Sequence, residues 1–98
     1  MPPGSVDPRS PYASDHARSR AAERLGFEPT PDQWREAALS ILDTIAGQRI
    51  AALLIRKSVP YGGVSLLMKG EIWAVKIGAK QARVIWSPVN AVIVTVLP

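Results

Sequence analysis

The chain has 98 residues, which is enough for one domain with one modest core and too few for two lobes around a cleft. It contains no cysteine, so disulfides, thiolate chemistry and the common structural zinc sites are excluded. Its apolar runs are far shorter than the roughly 20 residues of a membrane span, and no signal pattern opens the chain. We therefore expect a cytoplasmic protein that uses no metal and no cofactor and contacts no membrane.

The net charge of +4 is concentrated in the C-terminal half. Residues 50–98 carry six basic side chains and one acidic side chain, whereas residues 1–49 carry six basic and seven acidic ones. Basic side chains on one surface attract phosphates and release counterions, which favours a polyanion such as nucleic acid as a partner. A solvated sheet face is the alternative explanation of the same charges.

The chain begins with an arm, predicted over residues 1–13. Four prolines together with glycine and serine disfavour regular structure there. Residues 14–98 are predicted to form the single domain. Its first helix is predicted over residues 15–25, because Ser14 or Asp15 can cap its start and Gly26 can end it in a left-handed turn.

The second helix has the clearest start signal in the chain. Thr30, Pro31 and Gln33 supply a hydroxyl cap, a proline at the first helical position and the glutamine of a capping box. Apolar residues then recur at helical spacing as far as Gly47, which predicts a helix over residues 31–46 with one face against a sheet. That stripe consists of Trp34, Ala37, Ala38, Ile41, Leu42 and Ile45.

Short runs rich in valine and isoleucine follow and predict strands over residues 50–55, 64–68, 72–77, 83–86 and 92–97. Turn residues separate them, at 62–63, 69–70, 78–80 and 87–90. Connections this short favour antiparallel neighbours. The predicted fold is therefore α+β, with two N-terminal helices followed by a four- to five-stranded antiparallel sheet.

One histidine and two arginines stand at helical spacing in the first helix. His16, Arg20 and Arg24 are separated by four residues each, which places them on nearly one face. Histidine titrates near neutral pH and can act as general acid or base, while the guanidinium fork matches phosphate oxygens. The spacing indicates a possible acid/base group beside two anion binders.

The pattern His-Ala-x-x-Arg-x-x-x-Arg-x-Gly at residues 16–26 and the ending Val-Thr-Val-Leu-Pro at residues 94–98 occur together. With them, the chain resembles the phage- and toxin-associated branch of the RelE, barnase, EndoU and colicin ribonuclease superfamily, known as the BECR fold. The resemblance covers about residues 14–98. Ser87 stands where an aspartate before proline is frequent in that branch.

The resemblance implies a small ribonuclease-like domain that acts on RNA without a metal, as a toxin or phage effector. Cleavage through the 2′-hydroxyl needs a base, cationic donors for the crowded phosphate and an acid for the leaving oxygen. His16, Arg20 and Arg24 would cover part of that set. Thr95 is implied to lie near the histidine, and strand alternation predicts that it shares the face of Ile93 and Leu97.

The second proton carrier is not selected by the sequence. The candidates are Glu23, Glu71, Tyr61, Tyr12 and a lysine such as Lys69 or Lys76. Further basic residues are expected to bind nucleic acid: Arg18, Lys69, Lys76 and Arg83.

Structural roles stay open beside these functional ones. His16 can hydrogen-bond locally in the first turn, Arg20 and Arg24 can pair with nearby acids, and Thr95 is a good strand former. Trp34 is expected in the core. Core positions are also favoured for the other two tryptophans, Trp73 and Trp86, with base stacking on an open sheet face as the alternative.

Two other functions compete with catalysis. The first is a catalytically inactive, phage-encoded inhibitor that binds a host nucleoprotein or protein machine in the host cytoplasm, as in anti-defence or in takeover of transcription or translation. The second is a protein-binding module whose tryptophans partly belong to an interface. A protein inhibitor or a host protein would then be the partner instead of RNA.

Overall fold

The computed structural model describes residues 12–63 and 66–98, so the predicted arm lies outside the described residues as far as residue 11. Within these ranges two helices precede one antiparallel sheet of four strands in the order β1-β2-β3-β4. The α+β class with two helices first is confirmed, and the sheet has four strands. The elements are α1 (Asp15–Leu25), α2 (Pro31–Ala46), β1 (Ala52–Gly63), β2 (Leu66–Ile77), β3 (Lys80–Ser87) and β4 (Val92–Val96).

Both helices begin and end where their capping residues predict. The Ser14 hydroxyl accepts a hydrogen bond from the Ala17 amide at 3.0 Å, and Gly26 adopts a φ of 84°. In α2, the Thr30 hydroxyl accepts from the Gln33 amide at 3.2 Å, and the Gln33 side chain accepts from the Thr30 amide at 2.9 Å. Within the described ranges, neither helix is long and apolar enough to cross a membrane.

The core lies between the two helices and one face of the sheet. α1 packs on β4, and α2 packs on β2 and β1. Trp34, Trp73 and Trp86 are all buried in this core, so the core prediction is confirmed for each of them. The Trp73 indole donates to a Glu71 carboxylate oxygen at 2.9 Å. These rings therefore expose no surface on which a nucleic-acid base could stack.

The predicted turn at residues 69–70 is wrong, because residues 66–77 form one continuous strand, β2. Gly70 pairs with Val59 inside the sheet. A Cβ atom at Gly70 would lie 2.8 Å from the Trp86 carbonyl oxygen, 2.9 Å from Ile85 Cγ2 and 3.0 Å from Tyr61 Cε1. This glycine permits a close approach of neighbouring groups and does not reverse the chain.

The segment before α1 is attached to the sheet. Ala13 forms a parallel bridge with Ile93, the Ile93 amide donates to the Tyr12 carbonyl at 2.8 Å, and the Ser14 amide donates to the Ile93 carbonyl at 2.9 Å. Ala13 is buried. Two residues that were predicted to belong to the arm therefore pair with β4 and fix the position at which α1 begins.

Candidate functional site

A groove of about 460 Å³ lies between the start of α1, the end of β1 and the strand β4. We call it the His16 groove. Among the described residues its lining combines an imidazole, a phenol and two hydroxyls with small or apolar groups. The lining residues are Ser14, His16, Tyr61, Gly62, Val94 and Thr95.

Ser14 holds the helical wall of this groove against the strand. Its hydroxyl accepts from the Ala17 amide within α1 and donates to the Val94 carbonyl oxygen at 2.6 Å. One side chain thus caps the helix and joins it to β4. His16, which is exposed, stands two residues further along the first turn and faces the groove that Thr95 also lines.

Thr95 lies on the other face of β4 from Ile93, which corrects the prediction that the two residues share a face. Ile93 and Val96 are fully buried, and the β3–β4 register shifts between Ile85 and Trp86, so simple alternation fails along β4. Ile93 pairs with Trp86, whereas Thr95 pairs with Ile85. Thr95 therefore does not share the face of Ile93, and its half-buried side chain lines the groove.

Tyr61 is the candidate second proton carrier that the structure places in the groove. Its ring extends over Gly70, where the missing side chain leaves room for Cε1. Glu71 accepts from the Trp73 indole, and Glu23 accepts from the Arg20 guanidinium. None of the other candidates lines the His16 groove among the described residues.

The two arginines predicted to act with His16, Arg20 and Arg24, do not line this groove. Arg20 is exposed, and its Nη1 donates to Glu23 Oε1 at 3.0 Å, a surface pair of small energetic value. Arg24 is half-buried, and its Nη1 donates to the Val96 carbonyl at 3.2 Å. His16 therefore lines the His16 groove, whereas Arg20 and Arg24 make their contacts elsewhere, although all three were predicted on nearly one face of α1.

The four residues expected to bind nucleic acid are also dispersed. Arg18 pairs with Asp15, and Lys69 is exposed on β2. Lys76 lines a groove that also contains two acidic side chains of α2, Asp32 and Glu36. Arg83 lines another groove together with Arg24. They do not form one continuous basic patch.

Ser87 has a structural role in the β3–β4 turn. It is buried, its hydroxyl accepts from the Asn90 amide at 3.2 Å, and its carbonyl accepts from the Ala91 amide at 2.8 Å. A serine oxygen supports a turn in this way much as an aspartate does. Ser87 does not line the His16 groove.

Comparison with known proteins adds no relative. No family model matches the chain, and no curated protein or solved structure is significantly similar to it.

Proposed function

We propose that this chain is a small ribonuclease-like domain, of toxin or phage-effector type, that cleaves RNA without a metal. The observation that supports the proposal is that His16, Tyr61 and Thr95 line one groove. Two side chains able to carry a proton and one hydroxyl able to orient a ligand thus lie around the same space. The resemblance of residues 14–98 to the BECR ribonucleases points to the same chemistry.

The reaction assigns a task to each group. The 2′-hydroxyl attacks the adjacent phosphorus, the bond to the 5′-oxygen breaks, and the products end in a 2′,3′-cyclic phosphate and a 5′-hydroxyl. Neutral His16 would take the proton of the 2′-hydroxyl, and Tyr61, whose phenol is a donor, would protonate the leaving oxygen. Thr95 would donate a hydrogen bond to the phosphate.

Arg20 would supply the cationic contact. It lies one helical turn beyond His16, and its exposed pairing with Glu23 is weak enough to exchange for a phosphate oxygen. A guanidinium in that place binds the substrate in two-point contact.

A second function is favoured by one observation. Among the described residues, the lining of the His16 groove contains no arginine or lysine, although a cleaved phosphate needs cationic stabilisation. An inactive relative that binds a host nucleoprotein or protein machine would show this arrangement.

The two functions are separated by incubating the purified protein with single-stranded and structured RNAs in EDTA and identifying the product ends. We expect cyclic phosphate ends from the wild type and a loss of at least about 100-fold in rate for His16→Ala. Gln48→Ala, which changes an exposed side chain outside the groove, should retain the rate. Intact RNA after incubation with a folded wild-type protein would contradict the ribonuclease and support the inactive binder.

A further inference from the structure

A second groove, of about 500 Å³, lies where the end of α1 meets β3 and the end of β4. We call it the Arg24 groove. Three cationic side chains from two elements line it: Arg24 on α1, and Lys80 and Arg83 on β3. The remaining lining residues are Leu25, Ala74, Gln81, Ala82, Leu97 and Pro98.

Each cation is positioned by one backbone oxygen. Arg24 Nη1 donates to the Val96 carbonyl at 3.2 Å, Lys80 Nζ to the Leu25 carbonyl at 2.9 Å, and Arg83 Nη2 to the Pro98 backbone oxygen at 3.3 Å. A guanidinium has five N–H donors and an ammonium has three. Most donors of the three groups therefore remain available, while the side chains themselves are already oriented.

The described side chains compensate the charge of the groove only in part. Among the described residues, its lining contains no side-chain carboxylate. The exposed Glu23 lies beside it, with Oε1 at 3.9 Å from Arg24 Nε and 3.0 Å from Arg20 Nη1. Three oriented cations around one concavity form a site for an anion with several oxygens, as a phosphate has.

The Arg24 groove and the His16 groove are both lined by residues of α1 and of the chain from β4 onward. Thr95 lines the His16 groove and Leu97 the Arg24 groove, and the Leu97 amide continues the strand pairing by donating to the Arg83 carbonyl at 2.8 Å. Two residues of extended chain span about 7 Å. Along α1, the rise from His16 to Arg24 is about 12 Å. The separation suits one strand that contacts both grooves.

We propose that Arg24, Lys80 and Arg83 bind phosphodiester groups of a single-stranded RNA whose neighbouring segment lies in the His16 groove. This inference rests on the proposed function for the identity of the strand. It assigns to the Arg24 groove the binding of substrate and to the His16 groove the bond cleavage.

The test measures the affinity of a short fluorescein-labelled single-stranded RNA by anisotropy, in the His16→Ala background so that the RNA stays intact. The double variant Lys80→Gln, Arg83→Gln should bind about tenfold more weakly at low salt. Its log affinity should also depend less steeply on log salt, by about 0.7 for each phosphate that the variant no longer neutralises.

Two control variants keep the result interpretable. Arg35→Gln with Lys57→Gln removes the same charge from exposed positions on α2 and β1. Lys80→Arg with Arg83→Lys retains both charges and should retain the affinity. Equal affinities of the neutralised variant and the Arg35, Lys57 control would overturn the inference. So would a loss of affinity in the charge-retaining variant as large as that in the neutralised variant, because the loss of charge would then not be its cause.

Inorganic phosphate, titrated as a competitor, distinguishes a free anion from a strand. We expect the RNA to bind more tightly than inorganic phosphate, since one strand contacts several cations. Equal affinities would show that the groove takes a free anion and that the strand assignment is wrong. Failure of the proposed function appears separately, as uncleaved RNA with the wild type, and does not enter this binding measurement.

Discussion

The two grooves beside β4 differ in the chemistry that they present. The His16 groove contains an imidazole, a phenol and hydroxyls, whereas the Arg24 groove contains three cations. Their construction differs as well: the first depends on a serine cap and on a glycine over which a ring lies, and the second depends on backbone oxygens that orient long side chains. Under the proposed function, this small domain would separate proton transfer from charge recognition along one strand.

The largest effect is expected when the phenol is removed from the His16 groove. Tyr61→Phe keeps the ring over Gly70 and deletes the hydroxyl, so the cleavage rate should fall about 100-fold or more while RNA affinity changes little. Tyr12→Phe, a second phenol that does not line the groove, is the matched control. Equal rates for Tyr61→Phe and the wild type would remove Tyr61 from the reaction.

Gly70→Ala tests the packing that admits Tyr61 to the groove. The added Cβ would meet the Trp86 carbonyl oxygen at 2.8 Å, and backbone moves less readily than a flexible side chain. We expect a loss of about 1–3 kcal/mol in the free energy of unfolding, measured in urea, with a reduced cleavage rate. Gly47→Ala is a useful comparison, because its Cβ meets nothing within 4 Å and only its φ of 76° is unfavourable. An unchanged urea midpoint for Gly70→Ala would contradict the close approach.

Ser14→Ala tests the two hydrogen bonds by which the Ser14 hydroxyl caps α1 and links it to β4. It removes the cap acceptor and the donor to Val94, so unfolding should become easier by about 1–2 kcal/mol, while Ser14→Thr should retain most of the stability. Ser40→Ala is the control, since its hydroxyl only bonds back to Glu36 within α2. A similar urea midpoint for the two alanine variants would contradict a stabilising role of the Ser14 hydrogen bonds.

The smallest effect is expected at Arg20. Because its pair with Glu23 is exposed, Arg20→Gln should leave the unfolding midpoint almost unchanged. RNA affinity should fall about threefold, with a lower salt dependence. Arg35→Gln, which removes one exposed charge from α2, provides the baseline. Affinity equal to that baseline would leave Arg20 without a substrate contact.

Local signals made the helices predictable. The cap of α1, its left-handed end at Gly26 and the capping box of α2 depend on residues within four positions of each other. Local signals were not sufficient to predict the strands. Gly70 carries the same local signal as a turn glycine, and only the ring of Tyr61 and the carbonyl of Trp86, brought in by the fold, show why it is a glycine.

The candidate site was predictable only in part, because some of its contacts join residues that are far apart in the sequence. The resemblance placed His16 near Thr95, and both line one groove, but alternation gave the wrong partner face for Thr95 because a register shift in β4 depends on its pairing with β3. Helical spacing also grouped Arg24 with His16. Its hydrogen bond goes to a carbonyl 72 residues away, which spacing within α1 does not reveal.

The proposal that the His16 groove cleaves RNA and the Arg24 groove binds it is tested most directly by single-turnover cleavage of one RNA at increasing protein concentration. Tyr61→Phe should lower the maximal rate and leave the half-saturating concentration unchanged. Lys80→Gln with Arg83→Gln should raise the half-saturating concentration about tenfold and leave the maximal rate unchanged. If each variant changes both quantities in the same proportion, the two grooves do not have separate tasks and the account is wrong.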